Sequence, residues 1–352
     1  MKLMKVGVVG VGHVGGNAAL NMALRDSCRE IVLIDVDRQL AVSQALDLSQ
    51  TSALVSGPKV RAGDYHDLVG ADIVVLAPGI NEKAGGADKP GDKEGRLRLL
   101  DTNDPIFRDV VPKVIAAAPD AILLVATNPL DTMVELTRRL ANGKVVLGTG
   151  TFLDSLRFKT ALADHLEVAP ESVSALVLGE HGLSSVLLWS KVTIGAVPLE
   201  TYLAGRSIDG QTLRRSVEEY VRQGNINVIK GKGASEFGIG TVVARVVEII
   251  LRDDCMVVPV SAYSEKYGVT LSLPRRVGRS GVLDEFEIEA NKEEQEGISK
   301  SVEALKAAMK RLDRSKQVWQ QAPKLISAGQ GVPIERRSAN QLLPSSRVSV
   351  SR

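Results

Sequence analysis

The chain has 352 residues, 44% of them hydrophobic, with 44 basic against 42 acidic side chains and a formal net charge of +2. Charges of balanced sign, interspersed along the chain, give neither a basic stripe for a nucleic-acid backbone nor a field aimed at an anionic membrane. The two cysteines, Cys28 and Cys255, have no CxxC partner, which argues against a disulfide framework or a zinc knuckle and fits a reducing cytoplasm.

Met1 to Val6 runs directly into a strand-like segment without an apolar h-region, and the longest apolar run, 110–126, is broken by Pro112, Pro119 and Asp120. Neither a signal peptide nor a membrane span is expected. Through the first 150 residues short aliphatic runs alternate with helix-patterned segments, the rhythm of βαβ units on a parallel sheet. Strands are predicted at 5–9, 30–34, 72–77, 121–126 and 144–147, each nearly continuous in apolar residues and closed by Gly, Asp, Pro or Thr-Asn. Beyond Gly150 longer helices and the hairpin-like runs 173–178 and 186–189 predict a second, mixed α/β unit. Ile298, Val302, Leu305, Ala308, Met309 and Leu312 recur at helical spacing and predict an amphipathic helix over 292–312. From 314 to 352 the chain is rich in Ser, Gln, Arg and Pro without a period, and a disordered or loosely docked tail is expected.

Directly after the first strand stands Gly10-Val11-Gly12-His13-Val14-Gly15, a GxGxxG pattern that continues into a helix over 17–24. Glycine suits a tight turn at Gly10, close approach of backbone to a pyrophosphate at Gly12 and tight helix-to-strand packing at Gly15. The helix N-terminus then offers N–H groups to the phosphates. Asp35 closes the run Ile31-Val32-Leu33-Ile34 and lies 20 residues beyond Gly15, where a carboxylate accepts hydrogen bonds from adenosine ribose hydroxyls and repels a 2′-phosphate. NAD is therefore preferred, with Arg38 keeping NADP open. The bland reading, a glycine turn and a capping acid, does not explain strand, glycines, helix and acid in register. The expected fold is a Rossmann doubly wound parallel sheet over 1–148, followed by a mixed α/β substrate and catalytic domain over 149–313.

The chain resembles the lactate/malate dehydrogenases. The resemblance rests on Gly10 to Gly15 with Asp35, Ala126-Thr127-Asn128-Pro129-Leu130-Asp131, Leu153-Asp154-Ser155-Leu156-Arg157, Gly179-Glu180-His181-Gly182, and Ser272-Leu273-Pro274 before Gly278 and Gly281, in family order over the chain up to the tail. It implies a 2-hydroxy/2-oxo acid substrate and a homo-oligomer, dimer or tetramer. It also implies a cofactor-contacting set of Gly10, Gly12, His13, Val14, Gly15, Asp35, Gly79, Thr127 and Asn128, with no metal.

Oxidising a 2-hydroxy acid by hydride removal needs a base for the hydroxyl proton, and an imidazole serves near neutral pH without strong perturbation. His181, between Gly179 and Gly182, is the candidate; alone, a histidine satisfied in a turn would be the better reading. The resemblance implies that Asp154 holds the other imidazole nitrogen, fixing the tautomer and stabilising the imidazolium. An N-cap role for Asp154 stays open beside it. Arg157, three residues on and on the same helical face, brings a planar charged fork suited to a substrate carboxylate; a plain surface ion pair is the alternative. The resemblance places Arg96 on a mobile loop that closes over the substrate and polarises its C2 carbonyl, with Arg98 as competitor. Asn128 would touch both substrate and nicotinamide through its amide, ahead of an Asn-Pro bond that the family implies is cis. Ser235 would line the pocket, or serve as an ordinary helix-entry serine.

Two departures bear on the substrate. The residue before Lys89-Pro90-Gly91, which in this family reads the substrate's distal group, is Asp88, and a carboxylate there repels a second substrate carboxylate. A longer interval before Arg96 would shift the loop and turn Lys83, Lys89 or Lys93 to the pocket. Leu183 stands where the family usually has aspartate, which favours a less polar substrate. L-lactate is the leading expectation; malate, or a bulkier or cationic 2-oxo acid, is the alternative, and a non-catalytic dinucleotide-binding protein the reading from another class.

Overall fold

The computed structural model describes residues 4–55, 57–80, 85 and 93–321, with backbone only at 93–97 and 314–321. The first half runs β1 (Lys5–Val9), α1 (His13–Leu24), β2 (Glu30–Ile34), α2 (Arg38–Val55), β3 (Lys59–Ala62), β4 (Ile73–Leu76), α3 (Lys93–Ala117), β5 (Ile122–Val125), α4 (Leu130–Ala141) and β6 (Val146–Gly148). The second runs α5 (Phe152–Leu166), the short strands β7 (Val173–Ser174), β8 (Val177–Leu178), β9 (Val186–Leu187), β10 (Thr193–Ile194) and β11 (Val197–Pro198), then α6 (Leu199–Leu203), α7 (Gly210–Lys232) and α8 (Phe237–Arg252). It closes with β12 (Met256–Ser264), β13 (Val269–Gly278), β14 (Gly281–Glu285) and α9 (Lys292–Gln321).

Strands β3-β2-β1-β4-β5-β6 lie parallel in that order, so the winding reverses between β1 and β4, the doubly wound arrangement. The alternation along each strand explains the continuous apolar runs. Val6, Val8, Ile31, Leu33, Ile73 and Val75 face one core with α1, α2 and α8. Val9, Val32, Ile34, Val74 and Leu76 face the other, under α3, α4 and the end of α9. A strand covered on both faces needs apolar side chains at every position. β3, which sequence periodicity did not mark, is the edge strand beside β2, and Lys59 and Arg61 break its apolar run.

The sheet does not stop at β6. β12 joins it antiparallel through Ser261 opposite Gly148, and β13 and β14 extend it to nine strands. The final helix runs to Gln321, seven residues past Arg314, where the loss of periodicity predicts a tail; 322–352 lie outside the described residues. α8 is pinned to α1 by Glu248, fully buried, which accepts from Arg25 Nε at 2.6 Å and from the Ser27 hydroxyl at 3.1 Å. That contact fixes α8 at the C-terminal end of α1.

Candidate active site

The C-terminal ends of β1, β2, β4 and β5 open into one cleft of about 950 Å³, at the reversal point where a doubly wound sheet binds ligands. Gly10, Gly12, His13 and Val14 line it after β1, Asp35 after β2, Gly79 after β4, and Thr127 and Asn128 after β5. Gly10 has φ +84°, and a Cβ on it would lie 2.5 Å from the Pro78 backbone, so only glycine makes this turn. At Gly12 a Cβ would meet nothing within 4 Å, which leaves the N-terminus of α1 open for close approach. Gly15 behaves differently. It is buried outside the cleft lining, and a Cβ there would stand 1.9 Å from the Gly10 carbonyl oxygen, so its place is packing rather than ligand contact.

Asp35 is fixed by the backbone: its Oδ2 accepts the Val11 N–H at 2.8 Å and its Oδ1 the Asp37 N–H at 2.9 Å. Arg38 pairs with Asp64 at 2.8 Å, and neither the phosphate-repelling role of Asp35 nor NAD is opposed by it. An open glycine turn, a helix beginning at His13 and a held carboxylate after β2 fit an adenine dinucleotide diphosphate without a 2′-phosphate. Asn103 on α3, fully buried, ties the cleft walls together by donating to the Asn128 carbonyl at 2.8 Å and accepting the Ile80 N–H at 2.9 Å. Nothing in the sequence singled it out beyond a polar residue on a helix.

Against this cleft stands a charged cluster. His181 follows β8 in a short loop, and its Nδ1 lies 2.6 Å from Asp154 Oδ2 although 27 residues separate them. Asp154 Oδ1 accepts from Arg157 Nη1 at 2.8 Å, one turn along α5. The N-cap of α5 is Thr151, so the capping role left open for Asp154 falls away; it is the third helical residue, aimed inward. Burial by itself would raise the Asp154 pKa, but the adjoining imidazolium and guanidinium outweigh it and bring it down to about 2. With Nδ1 committed to Asp154, proton exchange with a ligand in the cleft falls to Nε2.

A depressed carboxylate favours the fold only while it is ionised. Starting from an ordinary 3.8, the Asp154 contribution is complete above about pH 4 and is lost as pH falls toward about 2. We expect the gap in urea-unfolding free energy between wild type and Asp154→Asn to narrow across that window; a gap that stays constant rejects the account.

Arg157 and Asn128 line the same cleft, and the Asn128-Pro129 peptide is cis. The Arg157 side chain rests on α7, where a Cβ added at Gly224 would lie 3.2 Å from its Cδ. Ser235 lines the cleft between α7 and α8; the N-cap of α8 is Glu236, so Ser235 is not the helix-entry residue. Arg96 sits in the first turn of α3 rather than on a loop, and its side chain lies outside the described residues. Arg98 is helical and exposed. Asp88, Lys83 and Lys89 lie outside the described residues, as does the side chain of Lys93. Leu183 is 38% exposed and stands outside the lining of the cleft. Asn225 of α7 and Ile239 of α8 do line it, and Asp131 of α4 touches His181; none of these was given a role from sequence.

Two family models match the chain: lactate/malate dehydrogenase, NAD binding domain, over residues 4–146, and lactate/malate dehydrogenase, alpha/beta C-terminal domain, over 151–315. Among curated relatives, the L-lactate dehydrogenase of Thermus aquaticus is 43% identical over 315 residues, covering 87% of this chain and 98% of that protein. That of Deinococcus radiodurans is 40% identical over 310 residues, covering 88% and 99%. Among solved structures, the minor L-lactate dehydrogenase from Enterococcus mundtii in its ligands-bound form superposes with a TM-score of 0.81 at 34% identity, covering 88% of this chain and 99% of that one.

Proposed function

With the chain a member of the lactate/malate dehydrogenase family, we propose that Arg157, His181, Asp154, Asn128 and Arg96 form a centre that interconverts pyruvate and L-lactate. The chain is an NAD-dependent oxidoreductase of L-lactate dehydrogenase type, acting on the CH–OH group of a 2-hydroxy acid. The observation that carries the residue roles is the chain of contacts from Arg157 through Asp154 to His181 on the wall of the nucleotide cleft.

In the reducing direction the Arg157 guanidinium binds the substrate carboxylate through parallel N–H bonds, which orients C2. NADH held by the glycine turn, Asp35 and Thr127 would supply the hydride that C2 accepts. As the C=O π bond breaks, the imidazolium of His181 gives its Nε2 proton to the oxygen, so one C–H and one O–H bond form and His181 is left neutral. Asp154 keeps Nδ1 protonated throughout and stabilises the cationic form. Asn128 contacts substrate and nicotinamide through its amide, Ser235 lines the pocket, and Arg96 adds positive charge where the oxygen becomes negative. In the oxidising direction neutral His181 takes the hydroxyl proton.

Asp88 supports pyruvate over oxaloacetate by repelling a second carboxylate. NADH oxidation across pyruvate, oxaloacetate, phenylpyruvate and branched 2-oxo acids tests this reading. We expect kcat/KM for pyruvate to exceed that for oxaloacetate by about tenfold or more. Comparable values remove the Asp88 argument, and no oxidation with any 2-oxo acid overturns the catalytic reading in favour of a dinucleotide-binding protein.

The proposed division is a cofactor unit over 1–148 and a substrate unit that opens at 149 and includes the whole of α9 to Gln321. A homo-oligomer is supported by the exposed apolar side chains along α2, with Val42, Leu46 and Leu54 showing 42%, 64% and 87% of their surface. A cytoplasmic setting is supported by two unpaired cysteines, and no helix among the described residues is long and apolar enough to cross a membrane.

A further inference from the structure

The chemistry above leaves one carboxylate beside His181 without a task. Asp131, in the first turn of α4, is 1% exposed. Its Oδ2 accepts the main-chain N–H of His181 at 2.7 Å, and its Oδ1 accepts the Ser261 hydroxyl of β12 at 2.5 Å. One side chain thus joins the helix that follows Asn128, the loop that carries His181 and the strand that extends the sheet.

Clamping an N–H and a hydroxyl does not require charge. An asparagine of the same shape accepts the N–H through its carbonyl and donates to Ser261 once the hydroxyl turns over. A carboxylate in this place is costly, because burial raises the pKa of Asp131 to about 6 against the opposing pull of Ser261 and His181. A costly charge kept next to the reacting imidazole calls for a use of the charge. The charged groups around the pair are Asp154 and Arg157 from α5, Glu180 from the same loop and Arg275 from β13, while α9 presents the neutral Ser301 to the Glu180 main chain. Arg157 is bound to Asp154, and the guanidinium of Arg275 is held by Glu285 at 2.6 Å. The partial positive end of α4 favours an anion at this turn.

We propose that Asp131 is a positioning residue for the reaction: it fixes the His181 main chain against β12 and holds a negative charge that favours the protonated, proton-donating imidazole. The inference rests on His181 being the proton donor in pyruvate reduction. Two carboxylates then serve one ring, Asp154 through Nδ1 and Asp131 through the main chain.

The test compares wild type, Asp131→Asn and Ser261→Ala in the full chain, by the pH profile of kcat/KM for pyruvate and by NADH affinity from fluorescence titration. Wild-type activity falls on the alkaline side as His181 loses its proton. Asp131→Asn is expected to move the midpoint of that fall down by about one pH unit, at unchanged NADH affinity. Ser261→Ala removes one anchor and one of the two pulls that keep Asp131 ionised, so kcat is expected to fall several-fold and the midpoint to move in the same direction as in Asp131→Asn, by less. A wild-type midpoint in folded Asp131→Asn overturns the proposal. If that variant does not fold, Ser261→Ala decides alone, and unchanged kcat overturns it. Failure of the underlying reading looks different, because His181→Ala would then retain wild-type turnover.

Discussion

His181→Ala is expected to lower kcat for pyruvate reduction by about 100-fold or more, with NADH affinity largely intact. The proton that His181 delivers to the oxygen of C2 has no other described donor within the Asp154 cluster: the Asp154 carboxylate, with its pKa near 2, carries no proton at neutral pH. Arg157 does not release its own. The fold has reason to survive the change. Asp154 keeps its ion pair with Arg157 at 2.8 Å, and the main-chain bond from position 181 to Asp131 does not depend on the side chain. NADH binding is expected to persist because the glycine turn, Asp35 and Thr127 lie at other strand ends. Steady-state rates with pyruvate beside NADH fluorescence titration separate the two effects. Turnover at the wild-type level would show that the imidazole has been given the wrong role.

Arg157→Gln is expected to reduce kcat/KM for pyruvate by roughly 1,000-fold, since losing one partner of a desolvated charge pair costs about 2–5 kcal/mol. Arg157→Lys keeps the charge but not the planar fork, and is expected to recover only part of the loss. Two consequences identify the cause. KM for pyruvate rises while NADH affinity holds, because the guanidinium meets the substrate carboxylate and lies beyond the dinucleotide turn. The Asp154 pKa also rises toward its unfolded value when one of its two cationic neighbours is withdrawn, so Arg157→Gln starts with less of this stabilisation and loses less of it than wild type as the pH falls from about 4 toward about 2. An unchanged KM for pyruvate in Arg157→Gln would place the substrate carboxylate elsewhere.

The acid response and the Asp131 experiment probe the same cluster from opposite signs. Asp154 is pulled below the ordinary carboxylate range and Asp131 is pushed above it, so their contributions oppose each other as the pH falls. Asp131 withdraws stability as the pH rises from 3.8 through about 6, because the folded state holds its proton longer than the unfolded chain does.

The order of residues along the chain was enough for whatever depends on neighbours. Buried parallel strands need apolar residues on both faces, so β1, β2, β4 and β5 stand out as unbroken runs, and the glycine turn follows β1 because only glycine takes the backbone of Gly10. The motif around His181 and the Asp154-Arg157 pair are likewise local patterns, made specific by family order. β3 stayed hidden because Lys59 and Arg61 interrupt an edge strand, and α9 outlasts its apolar stripe because a helix already nucleated and docked continues through residues that carry no period. Which distant residues meet was decided only when the sheet closed. Asn103 reaching Asn128, Ser261 reaching Asp131 across 130 positions, and α7 bringing Asn225 and the backing of Arg157 to the cleft leave no trace in spacing. A hydrogen bond or a packed contact depends on distance in space, and for positions far apart along the chain that distance is set by the path between them, to which every intervening element contributes.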